Sequence, residues 1–560
     1  MFENFGAGKK WLLIAILLVA SVALIFSPAK RFYHTHKETH NLTLAKHFFE
    51  KAEYANAALS ARQVLMLNPT NVTACRMMAD IADIMKSPVA LDFRRQLAES
   101  DPSSSNKLAF AEAGLRYQNR PYPVTTQVLS ELAATSATNL PLFHVISAEH
   151  ALALHQLDRA ESELRTAAAL EPTNRLYQLN LAVVSLHATN QEVLEKSRAN
   201  LRQFATETNF AGPALRALLA DQLTHDDLSR ARDFSQQLLE TSQATLADRL
   251  QNLSILKKSV ADLFPPQLAR VQQFVATNAI GAAQVGLWML GNGMASDAIK
   301  WLASLPKGVR GHPAIQVVQA SAFDATGDWQ AMREHCAHGT WKDLDFMRLA
   351  YSSHAWAKLG ELSVSHGNWH AAVDAAGGRF SALTGLLDLT ARWQLPVERQ
   401  ELFWNLLQKF PRQRWIAAAL EEQCYRVGDT AGLRRIYRQM ATAFPESPEY
   451  QNNLAYTSLL LRTNQTEATT EAAELYKKWP ENSAIASTYA FAMYLHGNNT
   501  EGLAVLQKMG TNILAQPSLA LHYGILLAAT GNKSGAEHYL TVARADTGLL
   551  PEEIQLIKKQ

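Results

Sequence analysis

Two histidines four residues apart, His366 and His370, sit in the stretch Ala355–Ala372, AWAKLGELSVSHGNWHAA. On one continuous helix that spacing brings two imidazoles to the same side, as in a site that grips zinc. His335-Cys336-x-His338 and the trio His34, His36 and His40 offer the same donor types. The Gly367-Asn368-Trp369 triplet, however, reads as a turn that separates the first pair, and the other two sets read as solvated loop and helix-end histidines. The chain has no His-Glu-x-x-His and no Gly-x-Ser-x-Gly, and Gly6-Ala7-Gly8-Lys9 lacks the following Ser or Thr and the strand that a phosphate loop needs. No catalytic, cofactor-binding or metal residue is therefore assigned, and the chain is expected not to be an enzyme. The missing motifs also argue against a hydrolase concealed in the weakly patterned middle of the chain.

The elements that carry these residues are helices. A chain of 560 residues exceeds what one hydrophobic core organises, so it needs several domains or an array that grows in one direction. Charged residues make up 19% of the chain, and strand-like runs bounded by Asn-Gly or Asp-Gly turns are hard to find, which gives an all-α reading. The net charge of +2, with Lys and Arg dispersed, argues against nucleic acid as a partner. Three distant cysteines, Cys75, Cys336 and Cys424, form neither a disulfide framework nor a Cys-x-x-Cys motif and read as small buried apolar residues.

Trp11–Pro28 is the one long apolar run, flanked by Lys9-Lys10 and Lys30-Arg31. It is near the shortest length that spans a hydrocarbon core of roughly 30 Å, and is expected as a single transmembrane anchor. A cleaved signal peptide is the alternative, with Ser27-Pro28-Ala29 as a weak small-x-small site. The boundaries expected on this basis are a short tail over 1–10, the anchor over 11–28, a juxtamembrane linker over 29–37, a helical array over 38–550 and a C-terminal tail over 551–560. The cations after the run favour a cytoplasmic body. The short Lys-bearing leader and the weakly charged body favour an extracytoplasmic, periplasmic one. The outward reading is preferred, with the cytoplasmic one close behind.

Internal periodicity organises the rest. From Ser353, Trp356, Leu359 and Gly360 are followed by Gly367-Asn368-Trp369 and Ala372. Arg414–Ser447 repeats the register with Ala417, Leu420, Gly428-Asp429, Leu433, Tyr437 and Pro445. Pro517–Leu550 does so with Tyr523, Gly524, Gly531-Asn532, Ala536, Leu540 and Ala543. Copies beginning at Glu38, Pro141 and Ser483 keep the phase, Gly293-Met294 and Gly327-Asp328-Trp329 mark further turns, and Gly377-Gly378 reads as an interruption. This spacing resembles the tetratricopeptide repeat (TPR), a 34-residue helix-turn-helix unit. The resemblance covers roughly Glu38 to Leu550, about fifteen hairpins' worth of chain, and implies a right-handed superhelical solenoid with a concave groove. In that register Trp356 is a core position, the small residue at Gly360 or Gly524 lets paired helices approach closely, and Pro69, Pro172 and Pro445 end second helices.

The resemblance also implies which side chains face the groove: Trp415, Glu422, Tyr425, Arg426, Tyr456, Leu459, Phe491, Tyr494 and Ile525. Aromatics with an occasional Arg or Glu suit capture of an extended or helical peptide, although the same side chains serve equally well in packing against the next repeat. The Lys and Asn of the carboxylate clamp known in some relatives are not matched, since Leu42 and Lys46 stand there. The expected function is a membrane-anchored scaffold that binds protein or peptide partners, with no small-molecule substrate. The alternative is an adaptor or regulatory subunit of a membrane-associated enzyme or of a secretion or envelope-assembly machine.

Overall fold

A computed structural model describes residues 35–510 and 516–559, and every regular element among them is helical. The unit of construction is an antiparallel hairpin, such as Arg414–Val427 with Thr430–Ala443 or Pro517–Ala529 with Lys533–Arg544. The turn inside the hairpin follows from two residues. Gly428 takes a left-handed backbone (φ +67°) that ends the first helix. Asp429 then accepts a bond from Gly432 N at 2.8 Å and caps the second. Gly531 (φ +92°) and Asn532, which accepts from Gly535 N at 3.0 Å, repeat the device. Close approach inside the hairpin is real at Gly524, where a Cβ would meet Leu540 Cγ and Cδ2 at 2.9 Å.

The chain divides into two compact units, Met1–Val271 and Gln272–Gln560. In the first, hairpins follow one another from residues 35–50 paired with Tyr54–Leu67 to Ala211–Thr224 paired with Leu228–Glu240. Its buried residues gather in local clusters shared by neighbouring helices, for example Leu179, Leu201, Phe204 and Leu218. In the second, hairpins run from Ala279–Gly291 with Ala295–Ser304 to Pro517–Ala529 with Lys533–Arg544. One buried cluster extends there from Ala320 to Ile557.

Three expectations change. The apolar run Trp11–Pro28 lies outside the described residues, and no described helix is long and apolar enough to cross a membrane. The expected single-pass membrane placement, with its periplasmic or cytoplasmic body, is accordingly withdrawn. Second, Gly367-Asn368 is not a turn: Leu362–Ala376 is one helix, and the hairpin turns instead at Gly360 (φ +89°). The register had slipped by seven residues, two helical turns, and a slip of that length keeps apolar residues on the same face. Trp356 is consequently only partly buried, under the Arg333 guanidinium at 5.2 Å, whereas Trp369 is 4% exposed. Third, residues 551–560, expected as a tail, contain the helix Pro551–Lys558.

Candidate peptide-binding face

The first helices of four successive hairpins, Arg414–Val427, Pro448–Leu460, Ser483–Leu495 and Pro517–Ala529, carry all of the side chains assigned to the groove. Tyr456, Phe491 and Ile525 occupy equivalent places in three of them. After Arg544 the chain turns, with Gly548 N donating to Asp546 Oδ1 at 2.8 Å. It then forms Pro551–Lys558, with proline at its first turn. Glu553 caps that helix by accepting from Leu550 N at 2.7 Å.

This terminal helix lies against residues about a hundred positions earlier. The Thr430 hydroxyl donates to Glu552 Oε2 at 2.5 Å, and the Tyr456 hydroxyl donates to Glu553 Oε1. The Pro551 ring rests on Gly428, where a Cβ would stand 3.0 Å from Cγ and 3.1 Å from Cδ. Leu556 borders a crevice with Leu459, Leu460, Phe491 and Leu495, and Leu556 and Ile557 belong to the unit's buried cluster. Glu553, Leu556 and Ile557 stand at i, i+3 and i+4, so one face carries a carboxylate above two aliphatic side chains.

Behind Tyr456 the bonding continues. Ser487 Oγ lies 2.7 Å from His522 Nδ1, and His522 Nε2 lies 3.4 Å from the Tyr456 oxygen. Burial holds the His522 pKa down to about 3, so the ring is neutral. The network assigns its proton to Nε2, with Ser487 donating to Nδ1 and Tyr456 donating onward to Glu553. Phe491 stacks on the same ring at 4.8 Å. Burial pushes the Glu553 carboxyl above the usual carboxylate range, the Tyr456 and Leu550 donors oppose this, and Asp546 and Glu552 add to it. A serine, a histidine and a glutamate in series have the parts of a hydrolytic relay. Ser487 and His522 are nonetheless enclosed, at 5% and 2% exposure, so no substrate reaches the serine. What the relay does is fix the Tyr456 hydroxyl on Glu553.

Among the residues assigned to the groove, Leu459, Phe491 and Ile525 are buried, and Tyr456 and Tyr494 are partly buried. Trp415 and Tyr425 stay 44% and 45% exposed. Glu422 and Arg426 are exposed and pair with each other at 2.6 Å along one helix. Sequence reasoning missed Gly428 as a seat, Thr430, Ser487, His522 and both glutamates. Leu550-Pro551-Glu552-Glu553 did carry a signal, since proline followed by glutamates opens a helix. His366 and His370 share one continuous helix after all and are both exposed. No group of three or more His, Cys, Asp or Glu among the described residues is placed to hold a metal ion.

No protein-family model matches the chain, and no curated protein matches it. Among solved structures it aligns with the APC/C hetero-tetramer Cut9-Hcn1 at 11% identity, over 93% of this chain and 96% of that one, with a TM-score of 0.29. It also aligns with Naa15/Naa10 bound to HypK-THB at 13% identity, over 93% and 78%, with a TM-score of 0.25. Overlaps this loose add nothing to the function, and the TPR-like description rests on the hairpins themselves.

Proposed function

We propose that this chain is a protein-interaction scaffold, not a catalyst, and that it captures helical peptides on the face built by the first helices from Arg414 to Ala529. One observation carries this reading: a helix of the chain itself is already held against it, by hydroxyl-to-carboxylate bonds from Thr430 and Tyr456, with Leu556 bordering one crevice beside Leu459 and Phe491. That is helix-in-groove recognition, in which an amphipathic helix lays one face along a receptor surface. Trp415 and Tyr425, half exposed on the first of these helices, extend the surface with the residue types that dominate binding energy.

The test is selection of binders from a displayed library of helical peptides against the full chain. Enriched peptides are expected to lose at least ten-fold in affinity to the Trp415→Ala/Tyr425→Ala variant, which removes two half-exposed rings. No enrichment, or binding indifferent to that variant, overturns the assignment of the face.

A further inference from the structure

The helix Pro551–Lys558 is short for an element that reaches the buried cluster. It has eight residues, and a helix this short has little stability of its own. Space remains on both of its flanks. On one side is the crevice of about 190 Å³ lined by Leu459, Phe491, Leu495 and Leu556. On the other, a pocket of about 640 Å³ is lined by Arg544, Leu549, Ile554 and Ile557. Ile554 is 40% exposed. Two adjacent carboxylates, Glu552 and Glu553, are brought against the face with hydroxyl partners.

The seat has ties of its own besides those to the helix. Gly428 and Thr430 belong to a hairpin turn, and Tyr456 is braced by His522, which Ser487 holds in turn. A braced seat with one short helix as its occupant is the arrangement of a latch. We propose that Pro551–Lys558 is a reversible self-ligand, and that its release opens the seat to a partner helix of the same pattern, Pro-Glu-Glu-x-x-Leu-Ile. The proline fills the space over Gly428, the first carboxylate takes the Thr430 hydroxyl, the second takes the Tyr456 hydroxyl, and the leucine enters the crevice beside Phe491. Partner binding is then competitive with the chain's own helix Pro551–Lys558, which keeps the scaffold closed until a helix of this pattern reaches a concentration that displaces it.

This inference rests on the reading of the array as a helix-binding scaffold, and its probe is a labelled peptide spanning Leu549–Lys559 added to the full chain. The Leu556→Asp/Ile557→Asp variant releases the latch in cis and is expected to bind the peptide at least ten-fold more tightly than the unaltered chain. A peptide carrying Glu553→Gln, or a released chain that also carries Tyr456→Phe, is expected to lose five- to ten-fold. Equal peptide binding by a folded released variant and the unaltered chain overturns the latch. Hydrogen exchange on the unaltered chain decides independently, including where the released variant does not fold. Amides of Pro551–Lys558 are expected to exchange at least a hundred-fold faster than those of Pro517–Ala529, and equal protection overturns the proposal. The two readings fail separately. Library peptides that bind through Trp415 and Tyr425 regardless of latch release leave the scaffold and remove the latch. A latch peptide that binds in trans where the library gives no partner leaves the latch and removes the scaffold.

Discussion

The two units solve the same packing problem with different chemistry. In the first, arginines bridge neighbouring helices: Arg94 reaches Asp80 and Asp83 at 2.7 Å, Arg198 reaches Asp221 at 2.8 Å, and Arg216 reaches Asp248 at 2.8 Å. In the second, the pairs Arg348–Asp345, Arg426–Glu422 and Arg544–Glu537 stay within single helices, and rings make the ties between hairpins. His354 stacks on Trp393 at 4.2 Å, Trp393 Nε1 donates to Asp324 at 2.9 Å, and His522 stacks on Phe491. Ion pairs set register along a surface, whereas stacked rings make a continuous core and leave hydroxyls and aromatic edges beside it. The second arrangement is where the chain's own helix is held.

Core truncation tests that contrast most severely. Trp369→Ala is expected to cost about 3–5 kcal/mol, because Trp369 is 4% exposed within the long cluster of the second unit. Trp356→Ala, on the preceding helix and only partly buried, is expected to cost about 1 kcal/mol. Denaturant melts that rank the two the other way would return the hairpin to the register with Trp356 inside. Next in size is Arg198→Ala in the first unit, expected to cost about 3 kcal/mol because it strands the Asp221 carboxylate, 2% exposed, without its cation. The matching deletion in the second unit, Arg426→Ala, is expected to stay within about 0.5 kcal/mol, since that pair is exposed on both sides. Equal losses at Arg198 and Arg426 break the comparison.

Most of the fold was legible because turn chemistry is local. Gly327-Asp328, Gly428-Asp429, Gly497-Asn498 and Gly531-Asn532 announce their hairpins. Elsewhere the same left-handed turn is made by Ala52, Lys86, His155, Asp226, Gln394 and Arg462, with φ between +52° and +61°. A side chain there costs roughly 1–2 kcal/mol, which packing covers, so the geometry persists after its sequence mark is gone. The slip at Gly360 has another cause: a glycine at the close-approach position and one at the turn lie seven residues apart on one face. The candidate site was legible only in part. Register places Tyr456 and Phe491 on the face, but Thr430 and Glu552 meet across 122 positions, and no local pattern encodes that contact.

Acid separates the units by a smaller margin. Burial lowers the His354 pKa, opposed by Asp324, and brings His522 to about 3. A histidine with a depressed folded pKa contributes fully above the unfolded value of about 6.5. As pH falls below that value, the unfolded chain takes up the proton first, and about 1.4 kcal/mol is lost per pH unit until the folded pKa is reached. In the first unit His150 behaves in the same direction. The Asp248 carboxyl does not: burial works against it, but Arg216 and Thr245 hold it below the usual range, so its contribution persists until pH falls below about 4. Hydrogen exchange between pH 6.5 and 5 is therefore expected to lose protection faster in Asp345–Lys358 and Pro517–Ala529 than in Ala211–Thr224. Parallel loss in all three helices would make the ring-based core no more acid-sensitive than the ion-paired one.

Helix caps give the smallest effect and the strictest control, because they use identical chemistry in both units. Asn71 accepts from Ala74 N at 2.9 Å in the first unit, and Asn482 accepts from Ala484 N at 3.1 Å in the second. Each satisfies a backbone donor that the helix start leaves free, and each Asn→Ala change is expected to cost about 1 kcal/mol. Since a cap acts on its own first turn, its loss should not depend on what registers the hairpins behind it. Chemical denaturation of Asn71→Ala and Asn482→Ala is thus expected to give equal losses within about 0.5 kcal/mol. A much larger loss at Asn482 would mean that the long cluster transmits a local defect through the second unit. The difference between the units would then lie in cooperativity as well as in the kind of tie.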